Sequence, residues 1–339
     1  MKKLILVLLF SPIICLGQTY NSYGRSSQKV TVKKETTNNS GENTYEIETE
    51  DVYLFSYFKN NGEDGLHLAY SYNALQWEAL RQNQSFLKPT AGKDQLMRDP
   101  CIVQGPNGVF HMVWTVSWNE KVIGYASSKD LIHWSPQKEI PVMVHEKEAR
   151  NCWAPEVFFD PKSEQYIIIW STTIPGRFPK TENTGDSKYN HRMYCVTTKD
   201  FEEFSETQLF FDQGFNVIDG TIKMEEGRYL LFLKDETRHP PEKNIRLSYS
   251  DHITKEYSKV SEPITGDYWA EGPTAIKIGE YWWVYFDKYR RHKMGAVRSK
   301  DLLHWEDVSE KISFPEGTRH GTIFRVKKEI LEPLLEHLQ

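Results

Sequence analysis

The sequence lacks three features that would place it in other classes of protein. Its 339 residues include 4 cysteines and no C-x-x-C pair, which argues against a disulfide scaffold and a structural zinc site. The 42 Lys and Arg residues do not exceed the 47 Asp and Glu residues, and the net charge of −5 argues against a nucleic-acid binder. Beyond the N-terminal leader, no apolar run approaches the roughly 18 residues of a membrane-spanning helix.

Aromatic residues, by contrast, are plentiful. The chain has 10 Trp, 18 Tyr and 17 Phe, which together make up 13% of it. Disordered chains are poor in aromatic residues, so most of this chain is expected to fold. Aromatic residues favour β-strands, and they also provide the flat surfaces on which sugars stack.

The first 17 residues have the pattern of a signal peptide. A positively charged start precedes an apolar stretch over residues 4–16, which is too short to span a bilayer as a helix. The small residues Cys15 and Gly17 predict cleavage before Gln18, and therefore a periplasmic or secreted protein. The alternative is a lipoprotein acylated at Cys15.

A repeated motif organises the rest of the chain. Residues 127–134 (SSKDLIHW) recur as residues 298–305 (RSKDLLHW), with weaker copies at 197–204 and 71–77. A short β-strand pattern precedes each copy, and a longer aromatic strand pattern lies before that. We expect the Asp of the motif to fix a turn by accepting backbone N–H groups, and the Trp to pack between neighbouring sheets.

Each repeat opens with a short motif of polar and apolar residues. The five motifs are Arg98-Asp99-Pro100, Trp153-Ala154-Pro155-Glu156, Val217-Ile218-Asp219-Gly220, Trp269-Ala270-Glu271-Gly272-Pro273 and Arg319-His320-Gly321-Thr322. The successive spacings along the series Asp99, Glu156, Asp219, Glu271 and His320 are 57, 63, 52 and 49 residues. This period, without long helical patterns, is typical of four-stranded propeller blades.

We therefore predict an all-β fold, a five-bladed β-propeller over residues 52–326. The fifth repeat has one C-terminal strand, 321–326, and strands from the start of the domain up to Trp77 are predicted to complete its blade. Strands from both termini then close the ring and leave no open sheet edge. Residues 18–51 are predicted to form a polar, loose arm, and residues 327–339 a short helix.

The opening motifs are expected to meet at one mouth of the central channel, because the inner strands of a propeller run in the same sense. Three carboxylates, Asp99, Asp219 and Glu271, would meet there. Glycoside hydrolysis needs one carboxylic acid to protonate the leaving oxygen and one carboxylate to activate water or attack the sugar. Neighbouring charges separate the pKa values of such groups. The alternative is that the polar residues only tie blades together, which suits Glu156 and Arg319 best.

At these residues the sequence resembles glycoside hydrolase family 43, exported five-bladed enzymes that trim arabinose- and xylose-containing plant polysaccharides. The resemblance covers about residues 52–326 and rests on five motifs in the same order. It implies that Asp99 is the general base, that Asp219 tunes the pKa of the acid and orients it, and that Glu271 is the general acid. It also implies cleavage of terminal arabinofuranosyl or xylosyl residues with inversion.

The resemblance also implies a set of residues that contact the sugar. These are Arg98, Trp153, Glu156, Arg319 and His320. In many members the late His helps to hold a calcium ion or a water in the channel, so His320 is a candidate for this role, and no other cofactor is expected. The motifs depart from the family at Gly220, where Pro or Ala is common, and at Glu156, where Asp is usual.

Other interpretations remain open at this stage. A noncatalytic carbohydrate-binding propeller would keep the fold, and galactofuranosidases and fructan hydrolases are related five-bladed enzymes. In each case the expected partner is an oligo- or polysaccharide, bound by a monomer. Further residues suit either the pocket lining or packing in loops: Trp118, His191, Lys234, Asp235 and Tyr289.

Two further segments lead to predictions, and one pair of cysteines leaves a question open. The insertion over residues 175–191 is expected to wall one side of the site, which favours a pocket and exo action. The basic run 290–293 is typical of a solvated hairpin tip. The sequence leaves open whether Cys101 and Cys152 pair.

Overall fold

The computed structural model of the protein describes residues 31–37, 43–48 and 51–336, with the backbone alone for the first two segments. The predicted signal peptide and its cleavage point lie outside these residues. No helix in the described ranges has the length and hydropathy needed to cross a membrane.

Twenty-one β-strands and one α-helix account for most of the regular structure in these ranges. In chain order they are β1 (Thr31–Thr37), β2 (Asn43–Glu48), β3 (Asp51–Tyr57), β4 (His67–Ser71), β5 (Glu78–Ala79), β6 (Arg98–Gln104), β7 (Phe110–Thr115), β8 (Ile123–Ser128), β9 (Lys138–Ile140), β10 (Trp153–Asp160), β11 (Gln165–Thr173), β12 (His191–Thr198), β13 (Gln208–Phe211), β14 (Val217–Glu225), β15 (Arg228–Asp235), β16 (Asn244–Ser250), β17 (Glu271–Ile278), β18 (Tyr281–Lys288), β19 (Lys293–Ser299), β20 (Glu306–Asp307), β21 (Gly321–Lys327) and α1 (Lys328–Glu336).

Five small antiparallel sheets form the blades of a propeller, which confirms the predicted fold. From the innermost strand outward, blade 1 is β6-β7-β8-β9, blade 2 is β10-β11-β12-β13, blade 3 is β14-β15-β16 and blade 4 is β17-β18-β19-β20. Blade 5 is β21-β3-β4-β5, in which Gly321 pairs with Tyr57 and Lys327 with Asp51. Strands from both ends of the domain therefore close the ring as predicted.

Two elements at the ends of the chain differ in detail from the predictions. β1 and β2 pair as a hairpin within the segment predicted to be a loose arm. The alternation in residues 43–48 (NTYEIE) is a strand signal that the polar composition of the arm obscured. Within the predicted helix 327–339, the described residues form α1, whose buried Leu331 and Leu334 join the apolar cluster between blades 5 and 1, and residues 337–339 lie outside the described ranges.

The hydrophobic core is divided into five clusters, one at each junction between neighbouring blades. Between blades 1 and 2, for example, Val113 packs with Ile168 and Trp170. Burying each such side chain contributes roughly 1.5–3 kcal/mol, so the junctions hold the ring together. The aromatic residue of each repeat motif joins these clusters, as predicted: Trp77, Trp134, Phe204 and Trp305.

The repeat motif forms the same turn in four blades. Asp130 Oδ1 accepts the backbone N–H groups of Ile132 and His133 at 2.9 and 2.7 Å, and Ser128 Oγ accepts the N–H of Leu131 at 2.8 Å. The equivalent acceptors in the other blades are Asn73, Asp200 and Asp301. The predicted role of the Asp is therefore confirmed, and Asn73 shows that an amide oxygen serves equally well.

Because either a carboxylate or an amide oxygen can act as the acceptor, we predict that the turn stabilises the fold independently of the charge of Asp130. Asp130→Ala removes the acceptor of two backbone N–H groups, so we expect the free energy of unfolding to fall by about 1 kcal/mol. Asp130→Asn keeps the acceptor and is expected to change it much less. Urea denaturation of the two variants measures the difference, and equal losses would show that the carboxylate charge, and not the turn, is what matters.

Candidate active site

A β-bulge lies at the start of four inner strands. The pairing register with the second strand shifts between Arg98 and Cys101, Trp153 and Glu156, Ile218 and Thr221, and Glu271 and Thr274. Inside each bulge one residue has a positive φ: Asp99 (53°), Ala154 (46°), Asp219 (53°) and Gly272 (59°). Bulges bend a strand and redirect its side chains, and Asp tolerates this backbone region better than most residues do.

The bulges correct the correspondence between the opening motifs. Asp99 and Asp219 occupy equivalent positions, whereas Glu271 lies one residue before the equivalent position and Glu156 two residues after it. From the sequence alone, the opening motifs had been aligned with one another on their charged residues. A proline directly after the bulge residue, as in RDP, WAP and EGP, is the signal that would have aligned three of the motifs.

Asp99 forms an ion pair with His320 at the channel. His320 Nδ1 lies 3.2 Å from Asp99 Oδ1, and the hydroxyl of Thr115 donates to Asp99 Oδ2 at 2.9 Å. Burial alone would raise the pKa of Asp99, but the His320 charge and hydrogen bond outweigh it and lower that pKa to about 2. Burial would lower the pKa of His320, but Asp99 and the other carboxylates nearby raise it to about 9. Asp99 is therefore ionised and His320 positively charged near neutral pH.

Glu271 lies between two cations. Lys234 Nζ is 3.1 Å from Glu271 Oε2, and Arg319 Nη2 is 3.4 Å from Glu271 Oε1. Arg319 is held in turn by Asp287, whose Oδ2 is 2.6 Å from Nε. Burial favours a protonated Glu271, but the charges of Lys234 and Arg319 are stronger and lower its pKa. The free protein therefore holds Glu271 in its ionised form.

Among Asp99, Asp219 and Glu271, the carboxyl group of Asp219 retains a proton most easily. Its Oδ2 accepts the N–H of Gly272 at 3.0 Å, which places it beside Glu271. Its side chain is buried, and burial raises its pKa to about 6 despite the opposing charges of His320 and Lys234. The structure thus brings Asp99, Asp219 and Glu271 together, linked through His320 and Gly272, with different preferences for the proton.

Glu156 lies in the interior between blades. Its Oε2 accepts hydrogen bonds from the hydroxyl of Thr221 in blade 3 at 3.0 Å and from the thiol of Cys101 in blade 1 at 3.3 Å. The residue is 7% exposed, and burial raises its pKa. These contacts indicate that Glu156 joins three blades, and they argue against the predicted contact with substrate. Cys101 and Cys152 are both free thiols, so they do not pair.

Arg98 and Trp153 belong to an aromatic rim on one side of the mouth. The guanidinium of Arg98 lies 4.3 Å from the ring of Trp118 and donates to Asn61 Oδ1 at 3.0 Å. Trp153 packs edge-on against Trp118 and lies 4.5 Å from the ring of Tyr189. Because Tyr189 belongs to the insertion between β11 and β12, this insertion adjoins the rim, as the sequence predicted.

The remaining pocket candidates divide into two groups. Lys234 contacts Glu271 directly, and Tyr289 lies beneath its ammonium group at 4.8 Å. His191 is buried, and Asp235 pairs with Arg246 at 3.4 Å. The ring of His191 lies 4.9 Å from that of Trp153, so it packs behind the aromatic rim, and Asp235 accepts the N–H of Thr237 in the following loop. Neither residue forms a hydrogen bond or an ion pair with Asp99, Asp219 or Glu271 in the described ranges.

Sequence analysis missed Thr115 and Asp287. Both stand at the ends of second strands, opposite the start of an inner strand: Thr115 pairs with Arg98 and Asp287 with Glu271. The register of each hairpin therefore carries them into the site. The signal was the distance of each residue from the hairpin turn, which places it opposite the opening motif.

The residues around His320 do not suit a calcium ion. In residues 51–336 no three His, Cys, Asp or Glu side chains are arranged as a set of metal ligands. Calcium prefers six to eight oxygen ligands, whereas Asp99 beside His320 is already engaged by an imidazolium and a hydroxyl. Calcium at His320 stays a prediction that this arrangement does not favour.

Comparisons with known proteins identify the family of this chain. The family model for a probable glycosyl hydrolase domain related to family 43 matches residues 48–332. An α-L-arabinofuranosidase of Bifidobacterium longum is 28% identical over an alignment of 204 residues, and the match covers 51% of this chain and 18% of that much longer relative.

Solved structures include similar folds. An α-L-arabinofuranosidase from Lactobacillus brevis has a TM-score of 0.48 at 16% identity, over 63% of this chain and 72% of its own. A putative exo-β-1,3-galactanase from Bifidobacterium bifidum has a TM-score of 0.49 at 14% identity, over 65% of this chain and 72% of its own. Because the family model spans the whole propeller, the chain belongs to the family 43-related glycosyl hydrolases.

Proposed function

We propose that this glycosidase removes terminal arabinofuranosyl or xylosyl residues from plant-type oligo- or polysaccharides with inversion. Asp99 is the general base and Glu271 the general acid, with Asp219 as the partner that supplies and tunes the acid's proton. The observation that carries the proposal is the division of charge in the site: the ion pair with His320 keeps Asp99 ionised, while Asp219, which accepts the N–H of Gly272 beside Glu271, has a pKa raised to about 6.

The environment of Asp99 suits a base. The carboxylate must be ionised to take a proton from water, and its pairing with His320 keeps it so. Thr115 and His320 each bond one of its oxygens, and these contacts hold the group in a fixed orientation. Its side chain is still 11% exposed, so a water molecule can reach it from the channel.

Glu271 must be protonated to act as the acid, and its neighbours determine when this occurs. Lys234 and Arg319 favour its ionised form, so a proton that binds this pair of carboxylates in the free protein resides mainly on Asp219, whose pKa is raised to about 6. A sugar bound in the channel excludes water from Glu271, and this desolvation shifts the balance toward protonated Glu271. One proton suffices for each cycle, because Glu271 gives one to the leaving oxygen and Asp99 takes one from the attacking water.

Several features support the rest of the proposal. The arabinofuranosidase relative supports the sugar class. The insertion after β11 lies against the rim through Tyr189 and is tied to blade 3 by the Asp186–Lys243 ion pair, at 2.8 Å. A walled pocket of this kind suits exo action by a monomer. The leader supports export to the periplasm or medium, and carboxylates with water suffice for the chemistry without a cofactor.

The proposed roles predict the stereochemistry of the product. If Asp99 activates water on the face opposite the leaving group, the first sugar released has the inverted anomeric configuration. Proton NMR of the product in the first minutes of reaction measures the configuration before mutarotation. A retained configuration would show that a carboxylate attacks the sugar directly.

Substrates with different leaving groups distinguish the role of the acid from that of the base. Glu271→Gln is expected to lose roughly 10²–10⁴ in rate on a natural glycoside, the usual contribution of general acid catalysis. It should lose much less on a dinitrophenyl glycoside, whose leaving group needs no proton. Asp99→Asn is expected to be nearly inactive on both substrates, because water must be activated in either case. The opposite pattern, with only Asp99→Asn rescued, would exchange the two roles.

Asp219→Asn serves as the matched variant for the acid. It removes a negative neighbour, so the pKa of Glu271 falls further and the alkaline limb of the pH–rate profile moves to lower pH. The variant also removes the group that holds the proton in the free protein. An unchanged alkaline limb would show that Asp219 does not influence the acid.

The ion pair between Asp99 and His320 leads to a prediction about the pKa of His320, which can be tested without an activity assay. Burial lowers the pKa of His320, and the Asp99 carboxylate is the main charge that opposes it. In Asp99→Asn the pKa of His320 should therefore fall from about 9 toward or below its ordinary value of 6.5. NMR of the labelled imidazole across the pH range gives both values, and equal values would contradict the pairing.

A further inference from the structure

The basic run 290–293 is exposed at a hairpin tip, as predicted, but two of its side chains also contact aromatic rings. Residues 289–292 connect β18 to β19, and two of their guanidinium groups fold back over aromatic rings. Arg290 lies 5.0 Å from the ring of Trp269, and Arg291 lies 5.6 Å from the ring of Tyr268. These four residues line an open cavity of about 250 Å³. The cavity therefore presents two aromatic rings and two positive charges together.

Both arginines lack an oxygen partner. The sequence places thirteen arginines in residues 51–336, and each of the other eleven makes a side-chain hydrogen bond or an ion pair. Within the same residues, the guanidinium groups of Arg290 and Arg291 make neither, and the nearby exposed Asp267 forms no ion pair with them. Their hydrogen-bond donors are thus available to a ligand.

Positive charge is concentrated around Trp269. Arg238 lies 4.9 Å and Lys243 5.8 Å from its ring, in addition to Arg290. Asp186 pairs with both Arg238 and Lys243, and Glu236 also pairs with Lys243, so the positive charge left here without an acidic partner in residues 51–336 is that of Arg290 and Arg291. The charge of this surface is opposite to the net charge of −5 of the whole chain, so it is a local feature and not a consequence of composition.

The cavity adjoins the acid side of the site. Trp269 precedes Glu271 by two residues, so their Cα atoms are at most about 7 Å apart. Tyr289 packs against Trp269 with ring centroids 6.0 Å apart, and it also carries Lys234, which bonds Glu271. A sugar next to the bond that Glu271 cleaves would therefore reach this cavity.

We propose that the cavity of Tyr268, Trp269, Arg290 and Arg291 is a subsite for an anionic sugar in the leaving-group part of the substrate. The ligand is a sugar ring that carries a carboxylate or a sulfate ester. The rings stack on the sugar, and the guanidinium groups bind the anion with paired N–H donors. The placement in the leaving-group part rests on the proposed role of Glu271, whereas the binding itself does not.

Binding is tested without catalysis. Methyl glucuronide, methyl glucoside 6-sulfate and neutral methyl glucoside, with their galacto forms, are titrated into the full chain while NMR follows the indole N–H of Trp269. The variant is Arg290→Gln with Arg291→Gln. Lys293→Gln is the matched control, because it removes one charge from the start of β19 without touching either ring.

We expect at least one anionic sugar to bind roughly 10-fold or more tightly than its neutral counterpart. This preference should weaken with salt, disappear in the double variant and persist in Lys293→Gln. Whether the carboxylate, the sulfate or both are preferred identifies the source of the anion. Equal affinities for charged and neutral sugars, or a preference that survives in the double variant, would overturn the proposal.

A kinetic comparison tests the placement. For oligosaccharides matched except for a uronate or a neutral sugar next to the cleaved bond, the double variant should lose kcat/KM on the acidic substrate only. An unchanged ratio, with the binding preference intact, would overturn the placement in the leaving-group part. Loss of all activity in Glu271→Gln on every substrate concerns the proposed acid, and it leaves the binding result standing.

Discussion

The left-handed backbone at the start of the inner strands is the constraint on which the site depends. A residue in this region costs about 1–3 kcal/mol unless it is glycine, and the packed junctions between blades supply the stability that offsets this cost. At Gly272 a side chain is excluded outright, because a Cβ would lie 2.2 Å from Cγ of His320. This close approach allows Asp219 to bond the Gly272 N–H, and it brings blades 3, 4 and 5 together at the mouth.

The buried charges around the channel form one balanced network. The cations His320, Lys234 and Arg319 face a larger number of carboxyl groups, so burial leaves some of those groups protonated more easily than others. Asp219 and Asp287, both with a pKa raised to about 6, are the groups in this network that take up a proton most easily. Each group therefore owes its protonation state to the whole set, which is why neutralising one residue is expected to move the titration of another.

Much of the fold follows from local signals. The turn of the repeat motif needs an acceptor two and three residues before the N–H groups it binds, and this spacing is visible in the chain. The aromatic strands, the number of blades and the closure by β21 and β3 follow from the same period. The hairpin of β1 and β2 was missed, because a polar composition masked a short alternating pattern.

The sequence by itself determined the propeller, its closure and the meeting of Asp99, Asp219 and Glu271 at one end of the channel, because strand period, turn chemistry and motif order are local properties. Tertiary structure decided what each charged group touches. Glu156 turned inward to Thr221 and Cys101, and Thr115 and Asp287 entered the site through hairpin register. Arg290 and Arg291 folded onto aromatic rings. Such contacts join residues that are distant along the chain, and their pKa values depend on burial and on charges from other blades, which no local pattern records.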